Sequence, residues 1–231
     1  MAQNVPKKRP GRPRGRTAAG QATRERLFEI ACALMAERGY EGTTQRAIAA
    51  EAGVSVGALY KHFPNKQAVV LALYDQLSAR FVAQCALPEA GWRPRFEAAL
   101  DGSLAALAPH RALLAELVPV LVGDRQQGLF APSTAFSRAR VEGVFVAAVR
   151  DARPPGVAPA DLGRALYLLH LGVVLFWLLD RSPGQAATAE VRRLLRRGLV
   201  PLGLGLRLPG AAAVVTRLAS AVTAGLFDDT P

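Results

Sequence analysis

The chain has 231 residues, of which 51% are hydrophobic and 20% are charged. This composition excludes a wholly disordered protein, and the length leaves room for one large domain or two small ones. The formal net charge is +11, and six of the 29 basic side chains lie within residues 1–22, where no acidic residue occurs. A basic tail on a nearly neutral body indicates an anionic partner.

Two cysteines are too few for a disulfide framework, and no Cys/His cluster has the spacing of a zinc site, so no metal or other cofactor is expected. The basic N-terminus is not followed by the apolar segment of a secretory signal, which favours a cytoplasmic protein. The most apolar run, residues 165–179, spans 15 residues. As a helix it would measure about 22 Å against a hydrocarbon core of about 30 Å, so no membrane association is expected.

Residues 1–22 combine Pro, Gly, Arg and Lys with few bulky apolar side chains, which predicts a flexible arm. Within the arm, RPGRPRGR at 9–16 resembles an AT-hook, whose Gly-Arg-Pro centre is flanked by basic residues. Proline keeps such a segment extended, and arginine inserts into the narrow, negative minor groove of A/T-rich DNA. The candidate contacts are Arg9, Arg12, Arg14 and Arg16. The alternative is an arm that acts only as an unspecific counter-charge.

From residue 23 onward, apolar side chains recur at helical spacing. They predict a first helix over 23–38, with Thr23 as its N-cap and Gly39 after its last turn. Two short helices then follow, at 45–52 and 56–63.

Thr44 and Ser55 are suitable N-caps for these two helices, and a tight turn at Gly53 separates them. Two short helices joined in this way are typical of a helix-turn-helix. Asn65 then caps a fourth, longer helix.

After residue 92 no strand-like alternation is found, and long apolar stretches are broken by Pro and Gly. They predict six further helices, at about 94–108, 110–122, 133–150, 159–180, 186–200 and 211–227, with 201–209 as a connection. The predicted fold is therefore all-α, with nine to ten helices. It comprises an arm at 1–22, a helix-turn-helix unit at 23–80 and a helical body for ligand binding and dimerisation at 81–231.

Residues 44–74, TQRAIAAEAGVSVGALYKHFPNKQAVVLALY, resemble the DNA-binding domain of the tetracycline-repressor (TetR) family of transcriptional regulators. The resemblance covers about residues 22–80. Its pieces occur in the family's order: Gly39-Tyr40, Thr43-Thr44, Ile48-Ala49, Ala52-Gly53-Val54-Ser55, Gly57-Ala58-Leu59-Tyr60, Phe63 and Lys66. The resemblance implies a protein that binds double-stranded DNA and regulates transcription.

The second short helix is predicted to enter the major groove, where its first residues lie nearest the base edges. Ser55, Val56, Gly57 and Ala58 are small enough for a close approach, and the methyl groups of Val56 and Ala58 suit thymine. None of them can make a bidentate base contact. Base reading is therefore predicted for the arm and for Gln45, Arg46 and Lys61.

By resemblance, Thr44, Tyr60 and Lys66 are the implied phosphate anchors, and His62 ends the recognition helix. Each has an alternative role. Thr44 and Ser55 are also helix caps, Tyr60 could be a packing residue, Lys66 could be solvated, and His62 could be structural.

Helix-turn-helix proteins commonly dimerise and read half-sites about 34–36 Å apart. Residues 162–180, LGRALYLLHLGVVLFWLLD, are apolar nearly all round, as expected for a helix between its own domain and a partner. In the TetR family the penultimate long helices form a four-helix dimer interface. The resemblance therefore implies a homodimer interface at Leu166, Leu169, Val173, Trp177 and Leu194. An ordinary core helix is the alternative.

TetR-family members usually bind a small molecule in the body, which implies a small apolar effector. The candidate pocket residues are aromatic or polar residues that interrupt apolar helices: Phe96, Leu100, His110, Phe136, Phe145, Tyr167 and His170. The alternative for each is a plain core or interface residue.

The chain contains no GxSxG, HExxH, phosphate-loop or dinucleotide-binding motif, and an enzyme is not expected. The leading hypothesis is a ligand-responsive transcriptional repressor that binds a palindromic operator as a dimer. The alternative is an architectural protein that binds A/T-rich DNA without effector control.

Overall fold

The computed structural model describes residues 18–123, 128–150, 152 and 157–226, and within these residues the chain forms ten α-helices and no strand. The all-α prediction is confirmed. The helices are α1 (Ala18–Gly42), α2 (Gln45–Glu51), α3 (Val56–Tyr60), α4 (Lys66–Gln84), α5 (Trp92–Leu107), α6 (Arg111–Gly123), α7 (Ala135–Arg150), α8 (Pro159–Leu179), α9 (Ala186–Gly205) and α10 (Ala211–Leu226).

Helix α1 already includes Ala18, the first described residue, which lies five residues before the predicted start. Thr23 is not its cap, because the Thr23 hydroxyl donates a hydrogen bond back to the carbonyl of Ala19 (2.8 Å) inside the helix. Alanine has the strongest helix propensity, and Ala18 and Ala19 allow the extra turn. The predicted end is correct, since Gly39 takes a φ of +73° that interrupts the helix.

Helices α1 to α4 enclose a common apolar core. Leu27 and Ala31 of α1, Ile48 of α2, Leu59 of α3 and Val69 of α4 are all fully buried in it. The short helices α2 and α3 are therefore held by packing against α1 and α4, because helices of this length are not stable alone.

In the body, α8 is the central helix and contacts α5, α6, α7, α9 and α10. Its closest approach is to α7, where a Cβ added at Gly163 would lie 2.6 Å from the Cα of Val146. Arg164 ties the layers together, since it donates to Glu142 on α7 (2.9 Å) and to Thr223 on α10 (3.0 Å).

Helix α9 continues to Gly205, so the prediction of a connection over 201–209 is wrong for its first half. Leu199 and Leu206 are buried against the body, and this packing carries the helix through Pro201. The start of α9 is fixed by Asp180, whose carboxylate accepts hydrogen bonds from the amides and hydroxyls of Ser182 and Thr188. These bonds hold the pKa of Asp180 well below its usual value.

Two described helical stretches, Trp92–Gly123 and Pro159–Leu179, pass a test of length and hydropathy for a membrane span. The prediction that the apolar helix is too short to cross a membrane was based on residues 165–179. It is wrong, because α8 has 21 residues. The core helix of a compact domain passes the same test. One face of α8, which includes Leu162, Tyr167 and Trp177, is buried within the chain itself.

Candidate nucleic-acid interface and ligand cavity

The bend between α2 and α3 follows from two helix caps and a glycine. The Thr44 hydroxyl accepts a hydrogen bond from the amide of Ala47 (3.1 Å), and the Ser55 hydroxyl accepts one from the amide of Ala58 (3.2 Å). Gly53 takes a φ of +63° between them. Helix α3 ends at Tyr60, three residues before its predicted end, because the chain tightens into a turn there.

Helix α3 divides its side chains between the core and the outer surface. Leu59 and Phe63 point into the core. The outer surface is formed by exposed and partly buried residues around α3, namely Ser55, Val56, Gly57, Ala58, Tyr60, Lys61 and His62. Tyr60 is 50% exposed, so the alternative of a packing residue is not favoured.

Thr44 and Arg46 are also exposed, at the start of α2. Gln45 is partly buried, and its amide donates to the carbonyl of Phe63 (3.4 Å). In this conformation the Gln45 side chain joins α2 to the end of α3, and Arg46 is better placed to meet DNA.

Lys66 is partly buried at the start of α4. Its ammonium group donates to the carbonyl of Tyr40 (2.6 Å), lies 4.2 Å from the centre of the Tyr40 ring and is 3.9 Å from a carboxylate oxygen of Glu41. Lys66 therefore joins α4 to the last residues of α1, which follow the interruption at Gly39. The four arginines of the predicted arm lie outside the described residues.

A mostly apolar cavity lies in the body between α4, α5, α6, α7 and α8. It encloses about 120 Å³, or about 810 Å³ with the part open to solvent. The lining consists of Tyr74, Leu77, Ser78, Phe81, Ser103, Leu107, Leu114, Val118, Leu121, Val122, Leu129, Val141, Tyr167, His170, Leu171, Val174, Leu175 and Leu178.

His170 is a buried polar residue of the cavity lining. Its Nε2 atom lies 2.7 Å from the hydroxyl of Ser103, and its ring packs 4.6 Å from the ring of Phe145, centre to centre. Burial lowers the pKa of His170 to about 3, so the imidazole is neutral at physiological pH. Burial also raises the pKa of Tyr74 to about 12 and that of Tyr167 well above its usual value.

Of the seven predicted pocket residues, Tyr167 and His170 line the cavity. Phe96, Leu100 and Phe145 are buried in the core beside it. Two assignments need correction. Phe136 is 75% exposed and packs against the Arg140 guanidinium, and His110 lies partly exposed in a turn before α6.

Sequence reasoning missed most of the aliphatic lining. Val118 on α6 and Val174 on α8 give no signal that distinguishes them from ordinary core residues.

The predicted dimer residues divide into two groups. Leu166, Val173 and Trp177 are buried within the single chain, so they have little surface left for a partner, and their assignment is corrected. Leu169 is partly buried, and Leu194 is 54% exposed. Exposed apolar side chains do occur on the same helices, at Phe176 and Leu179 of α8 and at Val200 and Leu204 of α9.

A helix-turn-helix with an exposed second helix, joined to a helical body that holds a cavity, defines a class of DNA-binding regulators. Known proteins agree with this class. Residues 27–73 match the family model for bacterial regulatory proteins of the tetR family. This chain therefore carries the N-terminal DNA-binding domain of the TetR family.

Similarity to individual members is strongest in the DNA-binding unit. The transcriptional repressor KstR2 of Mycobacterium tuberculosis is 45% identical over 69 residues, which cover 27% of this chain and 34% of KstR2. The regulator UidR of Escherichia coli is 27% identical over 195 residues, covering 82% of this chain and 93% of UidR. The match therefore spans only about a third of the length of KstR2.

The fold agrees over a longer stretch. A crystal structure of a tetR-family transcriptional regulator from Streptomyces coelicolor superimposes with a TM-score of 0.59 at 17% identity, covering 87% of this chain and 89% of that one.

Proposed function

We propose that this protein is a transcriptional repressor that binds a palindromic operator as a homodimer and whose DNA affinity changes when a small molecule fills the cavity. It would act in the cytoplasm on double-stranded DNA and has no catalytic role. The observation that carries the proposal is the exposed outer surface of α3, held by a capped turn on a unit that shares α4 with the cavity. KstR2 and DrrR1, two of its relatives, are named as transcriptional repressors.

Helix α4 supplies a physical route between the two sites. Its 19 residues span about 28 Å. Lys66 at one end bonds to the chain beside the helix-turn-helix, and Tyr74, Leu77 and Phe81 line the cavity further along. A molecule in the cavity contacts the helix that orients the DNA-binding unit. It can change DNA affinity to the extent that it binds two orientations of α4 differently.

Helix α6 offers a second route. Its residues Leu114 and Val118 line the cavity, and α6 also packs against α1 of the DNA-binding unit. Both helices therefore join the ligand cavity to the DNA-binding unit.

The homodimer is proposed from the apolar surface that α8 and α9 leave uncovered. Phe176, Leu179, Leu194, Val200 and Leu204 are large apolar side chains with 41% or more of their surface exposed. Contiguous exposed apolar surface usually marks an interaction site. A second copy packed on this surface would carry a second α3, as a palindromic site requires.

Selection of bound sequences from random duplex DNA, at a stated salt concentration, tests the proposal. We expect a palindromic motif, and footprinting should show two symmetric protected half-sites. Diffuse protection of A/T-rich DNA would instead support the architectural alternative.

A matched pair of variants tests the helix-turn-helix surface. Arg46 and Arg150 are both exposed, but Arg46 lies at the start of α2 and Arg150 at the end of α7. Arg46→Ala should weaken operator binding and flatten the slope of log affinity against log salt by about 1.8 for the dimer, which is about 0.9 for the one phosphate that each protomer no longer neutralises. Arg150→Ala removes the same charge and should leave both unchanged. Equal effects would refute the assigned surface.

The arm is tested separately by deleting residues 1–17. If the arm binds in the minor groove, the deletion should weaken DNA binding and flatten the salt slope, by about 0.9 for each phosphate that the arm neutralises. An unchanged slope would show that the arm does not bind DNA.

A further inference from the structure

The cavity lining carries no charged side chain among the residues that the structure describes. Five of its residues have a polar side-chain group, namely Tyr74, Ser78, Ser103, Tyr167 and His170, and the remainder are Leu, Val and Phe. Burial keeps His170 neutral and both tyrosines protonated, so these polar groups are uncharged at physiological pH. The lining thus offers hydrogen bonds but no counter-ion.

The charged residues around the cavity are not part of its lining, and each is paired with other groups of the protein. Arg138 donates to the carbonyls of Leu129 (2.9 Å) and Ala131 (3.2 Å). Asp75 accepts a hydrogen bond from the Ser137 hydroxyl (2.7 Å).

Arg140 lies 3.2 Å from the same Asp75 carboxylate and bonds to the Ser78 hydroxyl (2.9 Å). Glu142 pairs with Arg164 on α8 (2.9 Å). A charged molecule in the cavity would have to break one of these interactions before it could pair with a residue of opposite charge.

The enclosed volume limits the size of an occupant. An apolar cavity of about 150 Å³ is large enough to bind benzene. The 120 Å³ enclosed here therefore suits a single ring, with any further atoms extending toward the open side at Val122.

We propose that the cavity is selective for uncharged molecules about the size of one ring with a single hydrogen-bonding group, such as an aromatic alcohol, and excludes carboxylates and ammonium ions. The proposal depends on the proposed function only because it takes the molecule bound in the cavity to be the effector. The ring packs against the apolar lining. The polar group forms hydrogen bonds with the Ser103–His170 pair and with the hydroxyls of Tyr74 and Tyr167. An unpaired ion is excluded because the lining cannot replace its hydration.

Three probes that share a phenyl ring bearing one further carbon test the charge selectivity of the full chain: benzyl alcohol, benzylammonium and benzoate. Binding is measured by titration at pH 7.5, with ¹³C-methyl NMR of Leu and Val to locate each probe. We expect benzyl alcohol to shift the methyl groups of the lining, and both ions to bind at least about 100-fold more weakly. Ions that bind in the cavity within tenfold of the alcohol would overturn the proposal. Failure of the alcohol to bind, or its binding elsewhere, would do the same.

A matched pair of variants tests the location. Val174 lines the cavity, and Val214 is exposed on α10. Val174→Phe should fill the space and abolish binding of benzyl alcohol, whereas Val214→Phe should not change it. Unchanged binding by a folded Val174→Phe protein would count against the site. If that variant does not fold, the methyl shifts of the unaltered chain decide.

Operator binding, measured on the same preparations, separates the two proposals. Intact DNA binding without probe binding refutes the charge-selective cavity alone. Selective probe binding without any DNA binding refutes the repressor.

Discussion

Acidification provides a quantitative test of the buried His170. In an unfolded chain a histidine has a pKa near 6.5, whereas burial lowers that of His170 to about 3 in the folded protein. The unfolded state therefore binds a proton that the folded state excludes, and stability falls as the pH is lowered from about 6.5 toward 3. At pH 5 the unfolded state gains a factor of about 33, which corresponds to about 2 kcal/mol, and at pH 7.5 the effect is close to zero.

The assay is urea unfolding of the chain and of the variant His170→Gln, at pH 7.5 and pH 5.0. Glutamine keeps a polar group beside Ser103 but cannot titrate. The protomer concentration is held constant because the stability of a dimer depends on it. We expect the unaltered chain to lose about 2 kcal/mol more than His170→Gln between the two pH values, and His62 and His110 cancel in this difference.

Equal losses, within about 0.5 kcal/mol, would refute the reasoning. They would mean that the folded protein protonates His170 as readily as the unfolded chain does. The neighbours of the imidazole make this outcome unexpected, since they are the Ser103 hydroxyl, the rings of Phe145 and Tyr167 and a hydrogen-bonding backbone group of Tyr167, none of which carries a negative charge.

Three further predictions concern stability and assembly. Ser55→Ala removes the N-cap of α3 and should lower the free energy of unfolding in urea by about 1 kcal/mol, whereas Ser55→Asp can still cap the helix and should keep most of that stability. Equal stability of the two variants would contradict the role of Ser55 as a cap. Gly163→Ala would bring a Cβ to 2.6 Å from the Cα of Val146 and should cost about 1–3 kcal/mol, while Gly172→Ala meets no atom within 4 Å and should be neutral or stabilising. Phe176→Glu should weaken self-association at least about tenfold in sedimentation experiments without loss of helicity, because a charge replaces an exposed apolar side chain at the proposed interface. An unaltered association constant would place the interface elsewhere.

The helix-turn-helix could be predicted from the sequence because its determinants are local. Thr44 and Ser55 cap the amides three residues ahead, and Gly53 supplies the left-handed turn, so each signal acts within four residues of the chain. The helical conformation of Ala18 and Ala19 was missed because the apolar periodicity begins only later in the chain, whereas alanine favours a helix through its propensity.

The sequence does not predict which face of α8 packs inside the chain and which face stays exposed. The helix is apolar on all sides, so periodicity does not separate Leu166 and Val173, which pack in the chain's own core, from Phe176 and Leu179, which remain exposed. That distinction depends on where α5, α7 and α10 are placed, which is tertiary information. The same reason explains why Phe136 was wrongly assigned to a pocket, since its aromatic ring gives no indication of which side of α7 it occupies.

Helix α4 contacts both the cavity and the DNA-binding unit, and the two contacts require different degrees of rigidity. The helix must be held firmly enough to orient α3, and Lys66 does this through the carbonyl of Tyr40. Further along, Tyr74 and Leu77 line the cavity, and atoms that border unfilled space lack van der Waals contacts on that side. A helix fixed at one end and underpacked in its middle can change position when that space is filled. Under the proposed function a ligand acts by filling this space, and a side chain that filled it should imitate the ligand-bound state.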